Sequence, residues 1–388
     1  GQQLHRLVTV IFDPDMIGPK PPPLRRLRLF IGGGFGRAAS SGQTTGFGGG
    51  ANSTYGPSLM PGGFGGGGGV FGDGGFGGGG GYDGNGGFGG GGGGRPSSGS
   101  GPGPDGGFGG GATTSNIGSG GAGLGGAIFN FQGTVRALNC TFASNEALGG
   151  SGSIWDGGPQ PVSGGAHGGG IFNLNGHVVL RSTTLAGNTV NGATTASSGA
   201  PSGSDIYSKA EHAAVPEALR GDALVELHHC VLASSSGAAS SLVNDAASAA
   251  TLVSSVIGAE NIVVSTTGNV ASGAVVSTTD PELVALADNG GTTWTMALPS
   301  SQTVTPASAV PCEDLEGAAL QVDQRGVSRP SSCCDPGAYQ RMATCEPPIE
   351  GDAGVVADGG PSDAGSLDAG ALDAGAVDAG SLDAGSLG

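Results

Sequence analysis

The side chains with the most chemical potential stand close together at Glu226, His228 and His229, a carboxylate and two imidazoles within four residues. In a strand, alternation puts Glu226 and His228 on one face and carries His229 to the bend that follows. Such a set can move protons or, with more ligands, hold a transition metal. A metal site would need ligands from a neighbouring segment, and Arg181, the residue that aligns with His228, is not one. A solvated polar face is the preferred reading. Asp205 and Asp222 flank the same segment and form a carboxylate pair only if the fold brings them together. Arg220-Gly221-Asp222 spells a tripeptide that some adhesins present to receptors, a match of low specificity. No GxSxG nucleophile elbow with a His partner is evident.

The six cysteines divide two and four. Cys140 and Cys230 fall on equivalent inward strand positions and read as small buried hydrophobes. Cys312, Cys333, Cys334 and Cys345 cluster within 34 residues. No CxxC pair is present, and adjacent cysteines suit disulfides better than zinc. The expectation is one or two bridges clamping a C-terminal cap, which implies an oxidising, extracytoplasmic compartment. No cofactor, metal or catalytic residue is assigned.

The elements that must position these groups come from a repeated phrase. GGAIFNFQGTVRALNCTFASNEA at 125–147 returns as GGGIFNLNGHVVLRSTTLAGNTV at 168–190, an offset of 43 residues. A third, degraded copy puts Asp205-Ile206-Tyr207-Ser208 at the GIFN position and Val225 to Leu232 at the following strand. Apolar residues alternate within each copy, the period of a strand. The predicted core is Ile128, Val135 and Phe142, then Ile171, Val178 and Leu185, then Val225 and Leu232, with Asn145 and Asn188 at turns that enter the left-handed region. Each unit is too short to bury its inner face alone, so the units must stack as a parallel β-solenoid. Further strands are expected at 249–258, 261–264 and 274–276.

The pairing of GGAI (Gly125 to Ile128) with FASN (Phe142 to Asn145) resembles the repeats of bacterial polymorphic outer-membrane proteins. A later run is similar to the related choice-of-anchor Q domain proteins. It comprises Asp280-Pro281-Glu282-Leu283, Ala287-Asp288-Asn289-Gly290-Gly291-Thr292-Thr293, Asp323-Gln324-Arg325-Gly326, Arg329-Pro330 and Cys334-Asp335-Pro336-Gly337-Ala338-Tyr339. The resemblance covers roughly 121–340 and implies a right-handed parallel β-helix of the secreted, surface-displayed kind.

Composition narrows the function. The net charge of −17 and only two lysines, Lys20 and Lys209, argue against nucleic acid, which selects basic surfaces. They argue equally against anionic membranes. No stretch approaches the ~18 apolar residues of a membrane span. Residues 32–126 hold 48 of the 86 glycines. A flexible spacer is the preferred reading there, with stacked polyglycine strands docked by their aromatics as the sharper alternative. Asp73, Asp83 and Asp105 keep no nine-residue calcium-binding period. From Glu346 onward there are nine acidic residues and no basic ones, in a recurring Asp-Ala-Gly phrase that reads as a solvated spacer.

The expected organisation is therefore an unassigned segment at 1–30 without a recognisable export signal, then a Gly-rich low-complexity insert at 31–120. A parallel β-helix at 121–280, a Cys-containing cap at 281–345 and a disordered acidic tail at 346–388 follow. The fold class is all-β, and the expected protein is a monomeric, non-enzymatic structural or adhesin-like one, secreted or at the cell surface, with envelope or extracellular components as partners. The alternative is a β-helix lyase or hydrolase acting on polysaccharides. That chemistry needs carboxylates stacked on successive units, yet Glu226 is the only strand carboxylate in the aligned repeats, opposite Val179 and Arg136. Trp155 and Trp294, the only tryptophans, fall in a loop and in the cap, which lowers a sugar-stacking role.

Overall fold

The computed structural model describes residues 71–341 apart from 96–102, 114–117, 153–161, 195–199, 213–219, 235–238, 246–250, 300–309 and 332. The expectations for 1–30, the start of the Gly-rich stretch, Trp155, Cys345 and the tail at 346–388 lie outside the described residues. The regular structure described is entirely β and its sheets are parallel, a β-helix-like arrangement.

The chain visits three sheets in the same order on each of four passes, and a fifth pass adds a strand to the first and the third. Ile128–Phe131, Ile171–Leu174, Ile206–Lys209, Leu242–Asp245 and Thr266–Gly268 form the first sheet. Thr134–Leu138, His177–Arg181, Ala223–His228 and Ser254–Ala259 form the second. Thr141–Ala143, Thr184–Ala186, Val231–Leu232, Asn261–Val263 and Val275–Ser277 form the third. The register follows the sequence repeat: Ile128 pairs with Ile171, Val135 with Val178 and Phe142 with Leu185. The degraded copy continues it, with Ile206, Val225 and Leu232 next in the same columns. Leu242–Asp245 and Thr266–Gly268 have no counterpart in the expected strands.

Alternation decides which side chains enter the core. Ile128, Phe142, Ile171, Val178, Leu185, Val225 and Leu232 are buried in one apolar cluster, and Val135, at the first pass, packs on it partly buried. Full burial of such a side chain contributes about 1.5–3 kcal/mol. The thiol of Cys230 lies in the same cluster, and that of Cys140 packs against it.

The third corner differs from expectation. The left-handed residues are Ser144 (φ 55°) and Gly187 (φ 63°), one position before the predicted asparagines. Asn145 and Asn188 are buried instead as a side-chain ladder. Asn188 Oδ1 accepts from Asn145 N (3.0 Å) and Nδ2 (2.9 Å), and Asn188 Nδ2 donates to Phe142 O (3.0 Å). Their task is to satisfy backbone groups that the corner takes out of water.

The Gly-rich stretch is ordered where it is described, so the flexible-spacer reading gives way to the polyglycine one. The phrase Asp73-Gly74-Gly75-Phe76 recurs as Asn85 to Phe88 and Asp105 to Phe108, and each copy makes one tight turn. Gly78 N, Gly90 N and Gly110 N close these turns on the carbonyls of Gly75, Gly87 and Gly107 at 2.7–2.8 Å. Phe precedes a left-handed Gly in each, as a type II turn requires. Successive copies are bonded backbone to backbone, Gly77 N to Phe88 O (2.7 Å) and Gly89 N to Phe108 O (3.0 Å). Side chains join the ladder, since Asp73 accepts from Asn85 N (2.8 Å) and Asn85 from Asp105 N (2.9 Å). A Cβ on Gly87 would overlap the carbonyl of Gly75, so the spacing admits glycine alone.

The turns present Phe76, Phe88 and Phe108 as a stack with centroids 5.1 and 4.9 Å apart. This stack covers the outer face of the first sheet, where Phe129, Phe172 and Tyr207 form their own stack at 5.6 and 5.3 Å. Phe131, Leu174 and Val243 complete a second apolar core.

Within the expected cap, residues 310–341 bond to the side of the stack. Asn139 Nδ2 donates to Val322 O (2.8 Å) and Thr141 Oγ1 to Gln324 Oε1 (2.7 Å). Ala338 N donates to Thr184 Oγ1 (2.9 Å), and Gly337 N to His229 O (2.7 Å). These bonds run to the first three passes, so 310–341 lies along the flank of the second and third sheets. The left-handed corner residues Asn139 and His229 offer the bonding groups there. The Cys312–Cys334 disulfide and the buried Arg329 close the segment on itself.

Two substitution pairs test this architecture by denaturant unfolding. Leu185→Ala should cost about 2–5 kcal/mol, whereas Leu148→Ala, 64% exposed, should cost under about 0.5 kcal/mol. Gly87→Ala should loosen the aromatic core, read as greater near-ultraviolet mobility of the Phe and Tyr signals. Gly79→Ala, whose Cβ would meet only Gly91 O at 3.5 Å, should leave them unchanged.

Candidate functional site

The groups singled out for their chemistry gather on the outer face of the second sheet. Glu226 and His228 share that face as alternation requires, with His228 Nε2 3.4 Å from Glu226 Oε1. The preceding pass supplies Arg181, paired in register with His228, whose Nη2 donates to Glu226 Oε1 at 2.7 Å. It also supplies His177, whose Nε2 lies 3.8 Å from Glu226 Oε2. Arg181 is buried and its other terminal nitrogen donates to Glu313 Oε2 at 3.3 Å. One pass earlier, Arg136 Nη2 reaches Leu315 O (2.6 Å) and Glu316 Oε1 (3.0 Å).

One guanidinium thus holds two carboxylates with two imidazoles beside them. Burial, and then the positive Arg181, hold His228 below the usual imidazole range, so it is neutral at neutral pH. A neutral imidazole beside a carboxylate has the makings of proton transfer. Both acids, however, are engaged on Arg181, and a carboxylate bound to a guanidinium is a poor cation ligand. The chemistry best matched by these distances is a clamp between the sheet and the C-terminal segment.

The other candidates separate. His229 sits at the bend, as expected, with φ 51°, and faces the Cys312–Cys334 bridge instead of Glu226. Asp205 is fully buried at the third corner, where Asn188 Nδ2 (2.8 Å) and Ser234 N (3.0 Å) donate to its carboxylate. Asp222 is exposed and accepts from Val253 N (2.7 Å), so the two aspartates do not form a pair. In the Arg220-Gly221-Asp222 tripeptide, Arg220 Nε donates to His212 O (2.9 Å), and both charged ends are tied to this chain. Trp294 is exposed.

Sequence reasoning missed His177 and Glu313. His177 pairs with Leu224, two positions from Glu226, and reaches it diagonally, so a column-by-column alignment does not show the contact. Glu313 arrives from 132 residues beyond Arg181. Comparison with known proteins returns no match: no family model, no curated protein and no solved structure matches this chain. Among the described residues no helix is long and apolar enough to cross a membrane.

Two measurements follow from these contacts. Arg181→Met strands two carboxylates and should cost about 1–3 kcal/mol in denaturant unfolding, while Glu313→Gln should cost less because that acid is more exposed. Burial raises the Asp205 carboxyl from 3.8 to about 7. A raised folded-state value means this stability is fully present below about pH 3.8 and is lost as pH rises towards about 7. Asp205→Asn removes that slope, so the stability difference, variant minus wild type, should move in the variant's favour across this window; parallel pH profiles would refute it.

Proposed function

We propose that this protein is a right-handed parallel β-helix, a solenoid of the kind its repeat phrases resemble, acting outside the cytoplasm as a non-catalytic structural or adhesive scaffold. The stacked passes form a stalk, the polyglycine layer shields one face of it, and the loops between strands are the surfaces offered to envelope or extracellular components. The chain works as a monomer. The observation that carries this reading is the engagement of Glu226 and Glu313 on one buried guanidinium, that of Arg181. Groups that a lyase or hydrolase would keep open for substrate are spent here on fastening 310–341 to the sheet. The Cys312–Cys334 disulfide favours an oxidising compartment.

A second reading, a polysaccharide-active enzyme, draws on His177 and His228 beside Glu226. Incubation of the full chain with acidic polysaccharides, with and without Ca²⁺, separates the two. The scaffold reading expects no new chain ends from any substrate, and retention on envelope preparations that Glu226→Gln leaves unchanged. Depolymerisation by the wild type that Glu226→Gln abolishes would replace it with the enzyme.

A further inference from the structure

His229 is buried at the bend after the second sheet, and its two ring nitrogens have different surroundings. Nε2 lies 3.2 Å from Val310 O. A carbonyl oxygen only accepts, so Nε2 carries the proton and Nδ1 is left as a bare lone pair. Nδ1 is buried and has no hydrogen-bond partner. An unpaired buried acceptor is costly, so its retention calls for a use. A ring nitrogen of His229 and the sulfurs of Cys312 and Cys334 all lie within 4.8 Å of one another, and all three residues are buried. An imidazole whose far N–H is held by a backbone carbonyl is the arrangement that orients histidine towards a metal.

The sulfurs are equally prepared. Arg329 Nη1 stands 3.5 Å from each of them, and the same guanidinium is anchored on Asp335 O (2.8 Å) and Asn139 Oδ1 (3.3 Å). A fixed guanidinium donating to both sulfurs stabilises thiolates, the form in which cysteine binds metal. Arg329 keeps its charge at neutral pH, and two thiolates with one divalent ion and one neutral imidazole leave the pocket no more positive than the bridge does.

We propose that Cys312, Cys334 and His229 form a binding site for a soft divalent cation such as Zn²⁺, with the disulfide and the metal as alternative closures of one loop. Reduction by a phosphine puts an electron pair into the S–S bond. The phosphine takes oxygen from water and becomes its oxide, and the protons of that water remain on the two sulfurs. The cation then displaces both protons and takes the two thiolates and His229 Nδ1 as ligands. The bridge closes 310–341 on itself, and the metal would close the same loop while also tying it to the third pass through His229, so the flank clamp survives a change of redox state. This inference does not depend on the scaffold reading.

The test is Co²⁺ titration of the full chain after phosphine reduction, with Zn²⁺ as competitor. One equivalent of Co²⁺ should give thiolate-to-metal charge-transfer absorption, absent from the oxidised protein and reversed by Zn²⁺. Cys312→Ser should abolish the band and Cys333→Ser should leave it. His229→Gln should weaken binding at least tenfold, with its β circular dichroism retained. Overturning results are no band in a reduced protein that keeps its β spectrum, a band that persists in Cys312→Ser, or equal affinity in His229→Gln. A reduced chain that loses its β spectrum and does not regain it with Zn²⁺ would also overturn the proposal, because the metal should close the loop as the bridge does.

Discussion

Parallel strands stacked in register set each side chain against its counterpart one pass away, about 4.8 Å distant, so a column is stabilised when its residues gain from lying on their own kind. Inside the sheets this selects aliphatic columns such as Ile128, Ile171, Ile206 and Leu242. Within the first sheet it also selects a polar column whose donor and acceptor ends chain together: Asn130 bonds Asn173 at 2.8 Å, and Asn173 bonds Ser208 at 3.0 Å. On the outer face of the first sheet it selects aromatics, which stack as Phe129, Phe172 and Tyr207 do. One geometric constraint accounts for three chemistries.

The aromatic column creates the need that the Gly-rich layer meets. An outward stack of Phe and Tyr left in water would be a large apolar patch, and such patches promote association. The layer that covers it has almost no side chains of its own, and its cohesion is a network of backbone bonds at close spacing. Glycine carries the greatest entropic cost on ordering. Here the cost is offset by hydrogen bonds between adjacent turns and by one Phe per turn placed on the sheet, each stacked pair contributing about 0.5–1.5 kcal/mol beyond its burial.

The charged clamp and the C-terminal segment extend the same logic to the flank. Corner residues with positive φ, Asn139 on the first pass and His229 on the third, turn polar groups outward where 310–341 can bond them. Arg329 collects two backbone carbonyls, Gln340 and Asn139 around the bridged sulfurs. The segment is rich in charge yet little of it is free: Asp323 with Arg325 (2.7 Å) and Asp335 with Arg341 (2.6 Å) neutralise each other in place.

The 43-residue repeat by itself determined the strand columns, because a period-two pattern repeated at fixed offset leaves one in-register stacking that buries every apolar face. It also determined that Glu226 and His228 share a face, that His229 lies at a bend, and that Arg181 stands opposite His228. It did not separate Asn145 from Ser144 as the left-handed residue, since a buried amide ladder and a strained turn both favour asparagine. The Gly-rich stretch was legible only in part: Asp73, Asn85 and Asp105 each precede Gly-Gly-Phe, a repeat hidden by uneven spacings of 12 and 20 residues and by the low information of glycine. Tertiary structure alone decided where 310–341 lies, and with it the meetings of Glu313 with Arg181 and of the Cys312–Cys334 bridge with His229. Those contacts join irregular segments far apart in the chain, and no local periodicity records a pairing made by the path of a loop.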